Sequence, residues 1–437
     1  MTRYYQLTAS EFSWKTSAQR TITAWGFNNS FPGPVLKAKK GDEMVIRVKN
    51  DLPEATVVHW HGIRLPAAMD GTDSVQKPIE PGEEFEYRFT APDAGTFWYH
   101  SHFDETRQME RGMYGALIVE DDFDPLFDDE KIFVIDDIKL DKKDNFKKGN
   151  FIQRWVERHD GRQGNIVLIN GKENPVINVH AGQSERWRFI NSSSARYIRL
   201  SLGGKTFQLI GTDGGLIEDP VTMTEILIVP GERIDIVVGP FNDNDRFSID
   251  SLKYDRTTIV KSGNIQLAAV KVGELKTSIA DLPYNLRKIE QIAPQNATVN
   301  RKIKFSVGAS WKHGIDFLVN GEMHNNDKPV YVGELQVWEI SNTSLMDHPF
   351  HLHGYFFQVL EENGKAPAYK AWKDTYNLKP GSSIKIAWMP DNRPGMWMYH
   401  CHILEHHEAG MMGHFEVIDP AKGTSEHTHH QHHMHRH

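Results

Sequence analysis

The chain has 437 residues, 39% of them hydrophobic and 25% charged, which is long enough for two to four folded domains. The net charge of −8 is spread over both signs and argues against a nucleic-acid partner. There is no run of about 18 apolar residues, so we expect no membrane span.

The first predicted element is a pair of strands in residues 31–62, where apolar and polar residues alternate around a Gly-containing turn. This segment ends in His-Trp-His-Gly at residues 59–62, and His-Ser-His follows at residues 100–102. Residues i and i+2 of a strand face the same side, so each motif presents two imidazoles side by side. One such pair alone is more often incidental than a metal site.

The pattern of residues 31–62 recurs at 174–204 and 328–354, each time with Pro-Val, a Gly-containing turn, two alternating runs and an Asn. Alternation broken by Gly, Pro and Asn predicts short antiparallel strands. The sequence therefore predicts an all-β protein built from three consecutive β-sandwich or barrel domains.

Segments rich in Asp, Pro and Lys near residues 122–130 and 272–290 have the composition of linkers. The predicted domains and the His-rich tail that follows them span residues 1–125, 126–275, 276–420 and 421–437. The tail has the composition of a segment that binds copper or similar metals.

The three copies align on Asn50, Asn191 and Asn342. The residues nine and eleven positions further on are histidines in the outer two copies, but Leu200 and Leu202 in the middle copy. The closing segment of the middle copy also lacks a histidine. We therefore expect the middle domain to be structural and to hold no metal.

The single cysteine of the chain, Cys401, lies in His-Cys-His at residues 400–402, with His406 and Gly-Met-Met at residues 410–412 after it. A lone Cys excludes an intrachain disulfide and leaves a buried thiol, a nucleophile or a metal ligand. Cys, His and Met in this arrangement fit a blue-copper centre, with two imidazoles and a thiolate in a plane and an axial Met. The histidines of residues 348–353 can supply the missing imidazole.

The first copy has no equivalent of this centre. Ser101 stands at the place of Cys401, and Thr56 stands at the place of His348. Met113 occupies the position of the axial Met, but without a thiolate it is expected to be a core residue.

Ten histidines and Cys401 form four clusters, and only six of the 23 histidines lie outside these clusters and the tail. The clusters, in their order, resemble the four signature motifs of the multicopper oxidases, specifically bacterial three-domain laccase-like members. The resemblance covers essentially the whole chain. It implies three cupredoxin-like domains with Greek-key topology and four coppers: one blue (type 1) centre, and a trinuclear cluster of one type 2 and two type 3 coppers between the first and third domains.

Carried over by motif position, the resemblance implies these ligands. The blue copper takes His348, Cys401, His406 and, at the axial position, Met411. The mononuclear copper of the cluster takes His59 and His351. The binuclear pair takes His61, His100, His102, His353, His400 and His402. The count agrees, since two histidines at the blue centre leave eight for three coppers that keep positions open for dioxygen.

Reduction of O2 to water consumes protons, so an acid is expected near the cluster. Asp70 occupies the place where bacterial relatives carry such an acid, although Asp-Gly is also a common turn. A second acid usually follows the blue-site histidine directly. That position is His407 here, so either its near-neutral imidazole or the next residue, Glu408, is the second candidate.

The resemblance implies an oxidase of phenols or aromatic amines that reduces O2. The alternative is a metallo-oxidase of Cu(I) or Fe(II) in copper tolerance. The scattered methionines and the short stretch between Gly321 and His348 disfavour this alternative, whereas the tail favours it. Copper nitrite reductase and a non-enzymatic relative fit less well, because the third repeat and every ligand are present.

We expect a monomer without a nucleic-acid partner, which takes O2 and a phenolic or metal-ion substrate. The first residues lack the apolar segment of a secretory signal. We expect an extracytoplasmic location, periplasmic or secreted, with the signal absent from this sequence. A cytoplasmic or spore-associated location is the alternative.

Overall fold

The structure is a computed structural model that describes residues 1–147, 149–282, 284–311 and 314–421. Strands contain 51% of the residues and helices 6%, so the predicted all-β class is confirmed. No described helix has the length and apolar character needed to cross a membrane. The His-rich tail lies outside the described residues, apart from its first residue.

The first domain contains eight strands, a 3-10 helix at Ala67–Met69 and the helix α1 at Glu105–Glu110. The strands are β1 (Thr2–Lys15), β2 (Thr21–Phe27), β3 (Gly33–Lys39), β4 (Glu43–Asn50), β5 (Val58–His61), β6 (Glu84–Thr90), β7 (Gly95–Ser101) and β8 (Tyr114–Glu120). They form two four-stranded sheets in the orders β2-β1-β4-β6 and β3-β8-β7-β5.

The described part of the middle domain contains eleven strands and the helix α2 at Phe151–Asp160. The strands are β9 (Asp129–Ile138), β10 (Ile166–Ile169), β11 (Val176–Ala181), β12 (Glu185–Asn191), β13 (Ile198–Ser201), β14 (Phe207–Thr212), β15 (Gly215–Met223), β16 (Glu225–Ile228), β17 (Arg233–Val238), β18 (Arg246–Leu252) and β19 (Ile265–Leu275). Their sheet orders are β10-β9-β12-β17-β14-β15 and β11-β19-β18-β13-β16.

In the third domain the described residues form eleven strands and the helix α3 at Leu404–Glu408. The strands are β20 (Arg301–Ser310), β21 (Gly314–Val319), β22 (Asn325–Asn326), β23 (Val330–Tyr331), β24 (Gln336–Asn342), β25 (His348–Leu352), β26 (Gln358–Glu362), β27 (Thr375–Leu378), β28 (Ser383–Trp388), β29 (Gly395–Cys401) and β30 (Met412–Ile418). One sheet has the order β21-β20-β24-β28-β26, and the other has β22-β30-β29-β25-β27, with β23 also beside β30.

The sequence pattern alone predicted antiparallel strands, but some neighbouring strands run in parallel. The first strand of each domain pairs in parallel with a later one: β1 with β4, β9 with β12 and β20 with β24. Intervening strands return the chain to the same end of the sheet, so that the later strand can run in the same direction.

The repeated Asn has the same structural role in all three domains. The Asn50 side-chain amide donates to the carbonyls of Glu54 and Ile79, and its oxygen accepts from the Leu52 amide. Asn191 and Asn342 make the equivalent three bonds. All three side chains are buried, so each satisfies backbone groups that water cannot reach. The sequence repeat is therefore a structural repeat.

The hydrophobic cores show how the domains are joined. Buried residues of the first and third domains form one continuous apolar cluster, whereas the middle domain has a largely separate core around Trp187 and Phe189. This contact between the outer domains brings the histidine-bearing strands β5 and β7 next to β25 and β29.

Candidate copper centres

Paired strands place the histidine motifs in register. His59 on β5 lies opposite His100 on β7, and His351 on β25 lies opposite His400 on β29. In the middle domain the equivalent pair is Leu200 and Ser251, and the Leu200 side chain is fully buried. The middle domain therefore has an apolar residue where each outer domain has the first of two facing imidazoles.

Eight buried imidazoles meet between the first and third domains. The rings of His61 and His351 stack with centroids 3.9 Å apart, and those of His59 and His353 stack at 4.0 Å. Each stack joins one histidine from each outer domain. The motifs that the sequence places about 300 residues apart therefore form one cluster.

Hydrogen bonds to backbone carbonyls fix the orientation of four of these rings. His59 Nδ1 donates to the Asp70 carbonyl at 2.7 Å, and His351 Nδ1 donates to the Asp374 carbonyl at 3.0 Å. His100 and His400 donate through Nδ1 to the carbonyl of the next residue. A carbonyl can only accept, so Nδ1 carries the hydrogen and Nε2 keeps its lone pair.

The ring nitrogens that remain are suited to a metal. Several buried nitrogens have no hydrogen-bond partner among the described residues: His59 Nε2, His61 Nδ1, His100 Nε2, His351 Nε2 and both nitrogens of His402. Burial is the main cause that lowers the pKa of His61, His100, His102, His353, His400 and His402 well below the ordinary value. Neutral imidazoles with inward lone pairs fit copper.

Two contacts from the middle domain shape this cluster. The Arg233 guanidinium forms a two-point ion pair with Asp374 at 2.6 and 2.7 Å, and Asp374 Oδ1 accepts from His61 Nε2 at 3.2 Å. Although burial opposes it, Arg233 holds the pKa of Asp374 well below its usual range. A Cβ atom on Gly231 would lie 2.6 Å from the His402 ring. The middle domain thus supports the cluster without contributing an imidazole.

Six of the imidazoles form two sets of three. Within each set, the three rings come from three different motifs. In one set, the centroids of His61, His100 and His402 are 5.1 to 5.9 Å apart. In the other, the centroids of His102, His353 and His400 are 5.1 to 5.7 Å apart. The remaining two rings, His59 and His351, lie 6.0 Å apart.

A second group of donors surrounds the cysteine. The Cys401 sulfur lies 3.5 Å from His348 Nδ1 and 3.7 Å from His406 Nδ1, and the two nitrogens are 3.1 Å apart. His348 Nε2 bonds to the Ser344 hydroxyl, and His406 Nε2 donates to the His159 carbonyl. The three inward atoms form the triangle of a trigonal Cys-His-His site.

Burial sets the protonation of this triangle. It lowers the pKa of His348 to about 3, with a further contribution from Arg256, and it raises the pKa of the Cys401 thiol. The imidazoles are therefore neutral, and the sulfur must lose a proton when a metal binds. Met411 is fully buried, and its backbone bonds to both Cys401 and His406.

The first domain contains a polar counterpart of this triangle. The Gln108 side-chain oxygen accepts from the hydroxyls of Thr56 and Ser101 at 2.8 and 2.7 Å. Ser101 and Gln108 bond to the Met113 backbone in the same way as Cys401 and His406 bond to that of Met411. The predicted equivalence of Ser101 with Cys401 and of Thr56 with His348 is thus visible in the structure, with Gln108 as the third member.

The structure brings two of the three candidate proton donors to the cluster. The Asp70 carboxylate accepts a hydrogen bond from His353 Nδ1 at 2.8 Å. Asp70 also ends the 3-10 helix and precedes Gly71, whose φ is +78°. Asp70 is therefore both part of a turn and a neighbour of the cluster. His407 stacks on His400 with centroids 4.1 Å apart.

Glu408 points away from the cluster. Its carboxylate accepts from the backbone and hydroxyl of Thr106, and the residue lies on the wall of an open cavity of about 520 Å³ between α1, α2 and α3. Although the residue as a whole is exposed, local desolvation raises the pKa of its carboxyl group to about 7.

Sequence reasoning missed Glu105, a buried acid at the start of α1. One of its oxygens accepts from His407 Nδ1 at 2.9 Å, and the other lies 3.1 Å from His102 Nε2. Although burial opposes the charged form, Glu105 raises the pKa of His407. The contact joins residues 302 positions apart, and only its position three residues after His102 could have pointed to it.

Comparisons with known proteins agree with this geometry. Models of multicopper oxidase domains match residues 8–124, 136–274 and 291–421. A multicopper oxidase of Staphylococcus aureus is 33% identical over 409 residues, which cover 90% of this chain and 83% of the relative. The chain belongs to the multicopper oxidase family.

Two solved structures extend the likeness. A multicopper oxidase from Campylobacter jejuni, described as a metallo-oxidase, has a TM-score of 0.85 and 32% identity, covering 95% of this chain and 91% of its own. A laccase from Pediococcus acidilactici has a TM-score of 0.82 and 29% identity, covering 96% and 90%. This multicopper oxidase is accordingly a copper-binding oxidoreductase with three cupredoxin-like domains.

Proposed function

We propose that the protein is a laccase-like oxidase, which removes single electrons from phenols or aromatic amines and couples this to the four-electron reduction of O2 to water. The observation that carries the proposal is the position of Cys401 between His400 and His402. The electron-accepting triangle and the eight-histidine cluster are thereby joined by consecutive residues. When bound, copper accepts electrons at the triangle and reduces dioxygen at the cluster.

The residues assigned to each copper are part of this proposal. His348, Cys401, His406 and Met411 would hold the blue copper. His59 and His351 would hold the mononuclear copper. The two sets of three rings would hold the binuclear pair, one set for each metal: His61, His100 and His402, and His102, His353 and His400. The inward lone pairs and ring distances given above support this assignment.

Metal analysis tests this assignment. The loaded protein should contain four coppers once residues 425–437 are deleted, because that tail can bind copper of its own. The middle domain should contribute none, since Leu200 replaces the histidine there. A fifth copper that persists after the deletion would contradict the assignment.

The proposed proton donors are Asp70 and His407, with Glu408 as the competing second donor. Asp70 and His407 contact cluster imidazoles directly, and Glu105 orients His407 through its Nδ1–H. The bonds of Glu408 to Thr106 hold it at the adjacent cavity, so it would act through water. The acids are needed because each O2 takes up four protons as it becomes two water molecules.

The competing function is oxidation of Cu(I) or Fe(II). The Campylobacter relative described as a metallo-oxidase and the Pediococcus laccase are about equally similar to this chain, so likeness does not choose between them. Comparison of kcat/KM for a phenol, Cu(I) and Fe(II) on the copper-loaded protein tests the proposal. We expect the phenol to be preferred. Preference for a metal ion by a protein that leaves phenols untouched would overturn it.

Two further expectations belong to this proposal. The protein acts outside the cytoplasm, which fractionation of the producing cells tests, and it acts as a monomer, which light scattering after gel filtration tests.

A further inference from the structure

The Cys401 triangle has no surface open to a dissolved reductant. Cys401, His348 and His406 are each 0% exposed. The outward nitrogen of His406 donates to the His159 carbonyl at 3.0 Å, and His159 belongs to α2 of the middle domain. A reductant in solvent therefore cannot touch the His406 imidazole while α2 is in place.

The same helix connects that hydrogen bond to the surface. Trp155 lies one turn before His159, and the two rings stack with centroids 5.7 Å apart and planes inclined by 21°. Trp155 is 39% exposed. Its indole thus contacts both the solvent and the residue whose carbonyl holds His406.

Exposed apolar side chains lie close to Trp155 on α2. Phe151 and Ile152, four and three residues earlier on α2, are 77% and 69% exposed. Trp311, directly after β20, is fully exposed, and Gly314, the first residue of β21, lies against the Trp155 indole. Grouped exposed apolar side chains mark a binding surface, whereas single ones are ordinary. An Asn150–Gln153 capping box holds the start of α2.

We propose that a planar aromatic reductant stacks on Trp155 and that its electron reaches His406 through the Trp155 indole and the His159 backbone. This inference rests on the proposed oxidation of phenols. Each phenol would lose one electron and pass its hydroxyl proton to water, and four such events would supply the four electrons that one O2 takes up. A hydrated metal ion would gain little from this apolar surface.

The test compares Trp155→Leu with Trp155→Phe, which keeps an aromatic ring, and with Phe123→Leu, which changes an exposed aromatic residue elsewhere. The first readout is calorimetric binding of an aryl methyl ether, a non-oxidised analogue, to the resting protein. Trp155→Leu should weaken binding about tenfold, as expected for the loss of an aromatic stack. Trp155→Phe should restore most of the affinity, and Phe123→Leu should match the parent.

The second readout is anaerobic bleaching of the blue absorption in a stopped-flow experiment. At saturating phenol, Trp155→Leu should bleach about tenfold more slowly, while the blue spectrum is unchanged and ferrocyanide, a small inorganic reductant, bleaches both proteins at similar rates. Parent-like binding and bleaching in Trp155→Leu would overturn the inference, and weaker binding with a normal bleaching rate would overturn the electron route. A parent protein that oxidises metal ions but no phenol would instead refute the proposed function.

Discussion

The first and third domains build the same backbone around different side chains. In the third domain, Cys401, His348 and His406 face one another with three atoms that suit copper. In the first domain, Ser101, Thr56 and Gln108 occupy these places and hydrogen-bond to one another. The Gln108 amide also donates to Ala55 and Glu54, so the polar set is satisfied without a metal.

This difference shows what separates a metal site from a core. Both sites are fully buried, and both use the backbone of a Met to hold two members of the set. A buried polar group is costly unless it has a partner. The first domain supplies that partner internally, whereas the third leaves lone pairs pointing at a common centre. Four predictions test this contrast, in order of decreasing effect.

The largest effect is expected from Cys401→Ser, which copies the first domain. It should abolish both the blue colour and the oxidase activity, because a Cys401 thiolate bound to Cu(II) would give the intense colour and hold the copper that accepts the electron. Absorption spectroscopy and oxygen consumption provide the measurement, with circular dichroism to show that the fold is kept. Ser101→Ala is the matched control and should stay blue. A blue Cys401→Ser protein would refute the assignment.

The next effect concerns the proposed proton donors, of which the first domain supplies Asp70 and the third supplies His407 or Glu408. Asp70→Asn should slow turnover roughly 10²-fold, the scale of general acid catalysis, while the blue spectrum and its reduction by substrate stay nearly unchanged. His407→Ala should shift the pH dependence of turnover; Glu408→Gln should do so instead if that residue serves. Full turnover by Asp70→Asn at normal copper content would mean that Asp70 is a turn residue and does not deliver protons.

A third, smaller effect concerns stability of the copper-free protein. His348 is buried and stays neutral in the folded protein, whereas in the unfolded chain it takes up a proton below about pH 6.5. The free energy of unfolding therefore decreases as the pH falls below that value. With its pKa near 3, His348 should lower the free energy of unfolding by about 2 kcal/mol between pH 7.5 and 5. His406 acts in the same direction.

A triple variant checks this. His348→Thr, Cys401→Ser and His406→Gln together give the third domain the polar set of the first. Urea unfolding should then depend less on pH than in the copper-free parent. An equal pH dependence in both proteins would mean that these imidazoles are accessible to protons in the folded state.

The smallest effect is expected at the two methionines. Met411→Leu should raise the reduction potential of the blue centre, because a weak axial sulfur favours the oxidised metal. Met113→Leu, at the equivalent place in the first domain, should leave the potential unchanged. Redox titration of the blue absorption measures both. An unchanged potential in Met411→Leu would assign the axial place to Met412 or to no methionine.

The sequence predicted the parts of the molecule that depend on local spacing. His59 and His61 share a strand face because the period of a strand is two, and the repeated Asn marked the same position in each domain. The equivalence of Gln108 with His406 was not found, because Gln108 lies seven residues after Ser101, whereas His406 lies five residues after Cys401. The two residues align only when positions are counted back from Met113 and Met411.

Other contacts carry no sequence signal at all. The His159 carbonyl that holds His406 is a backbone group, and any residue could provide it. Arg233 lies in the middle domain, 141 positions from Asp374, in a segment that showed no ligand pattern. The expectation that the middle domain holds no metal stays a prediction, and its supporting role depends on contacts between domains that spacing cannot reveal.

The separation of Asp70 from His353 by 283 residues has a consequence for biosynthesis. Domains fold as the chain emerges from the ribosome, with those nearer the N-terminus first. The two halves of the histidine cluster are therefore synthesised well apart in time, whereas His348 and His406 of the Cys401 triangle are only 58 positions apart. Under the proposed copper assignment, the cluster is complete only after the third domain has docked on the first, so copper would enter it after that step.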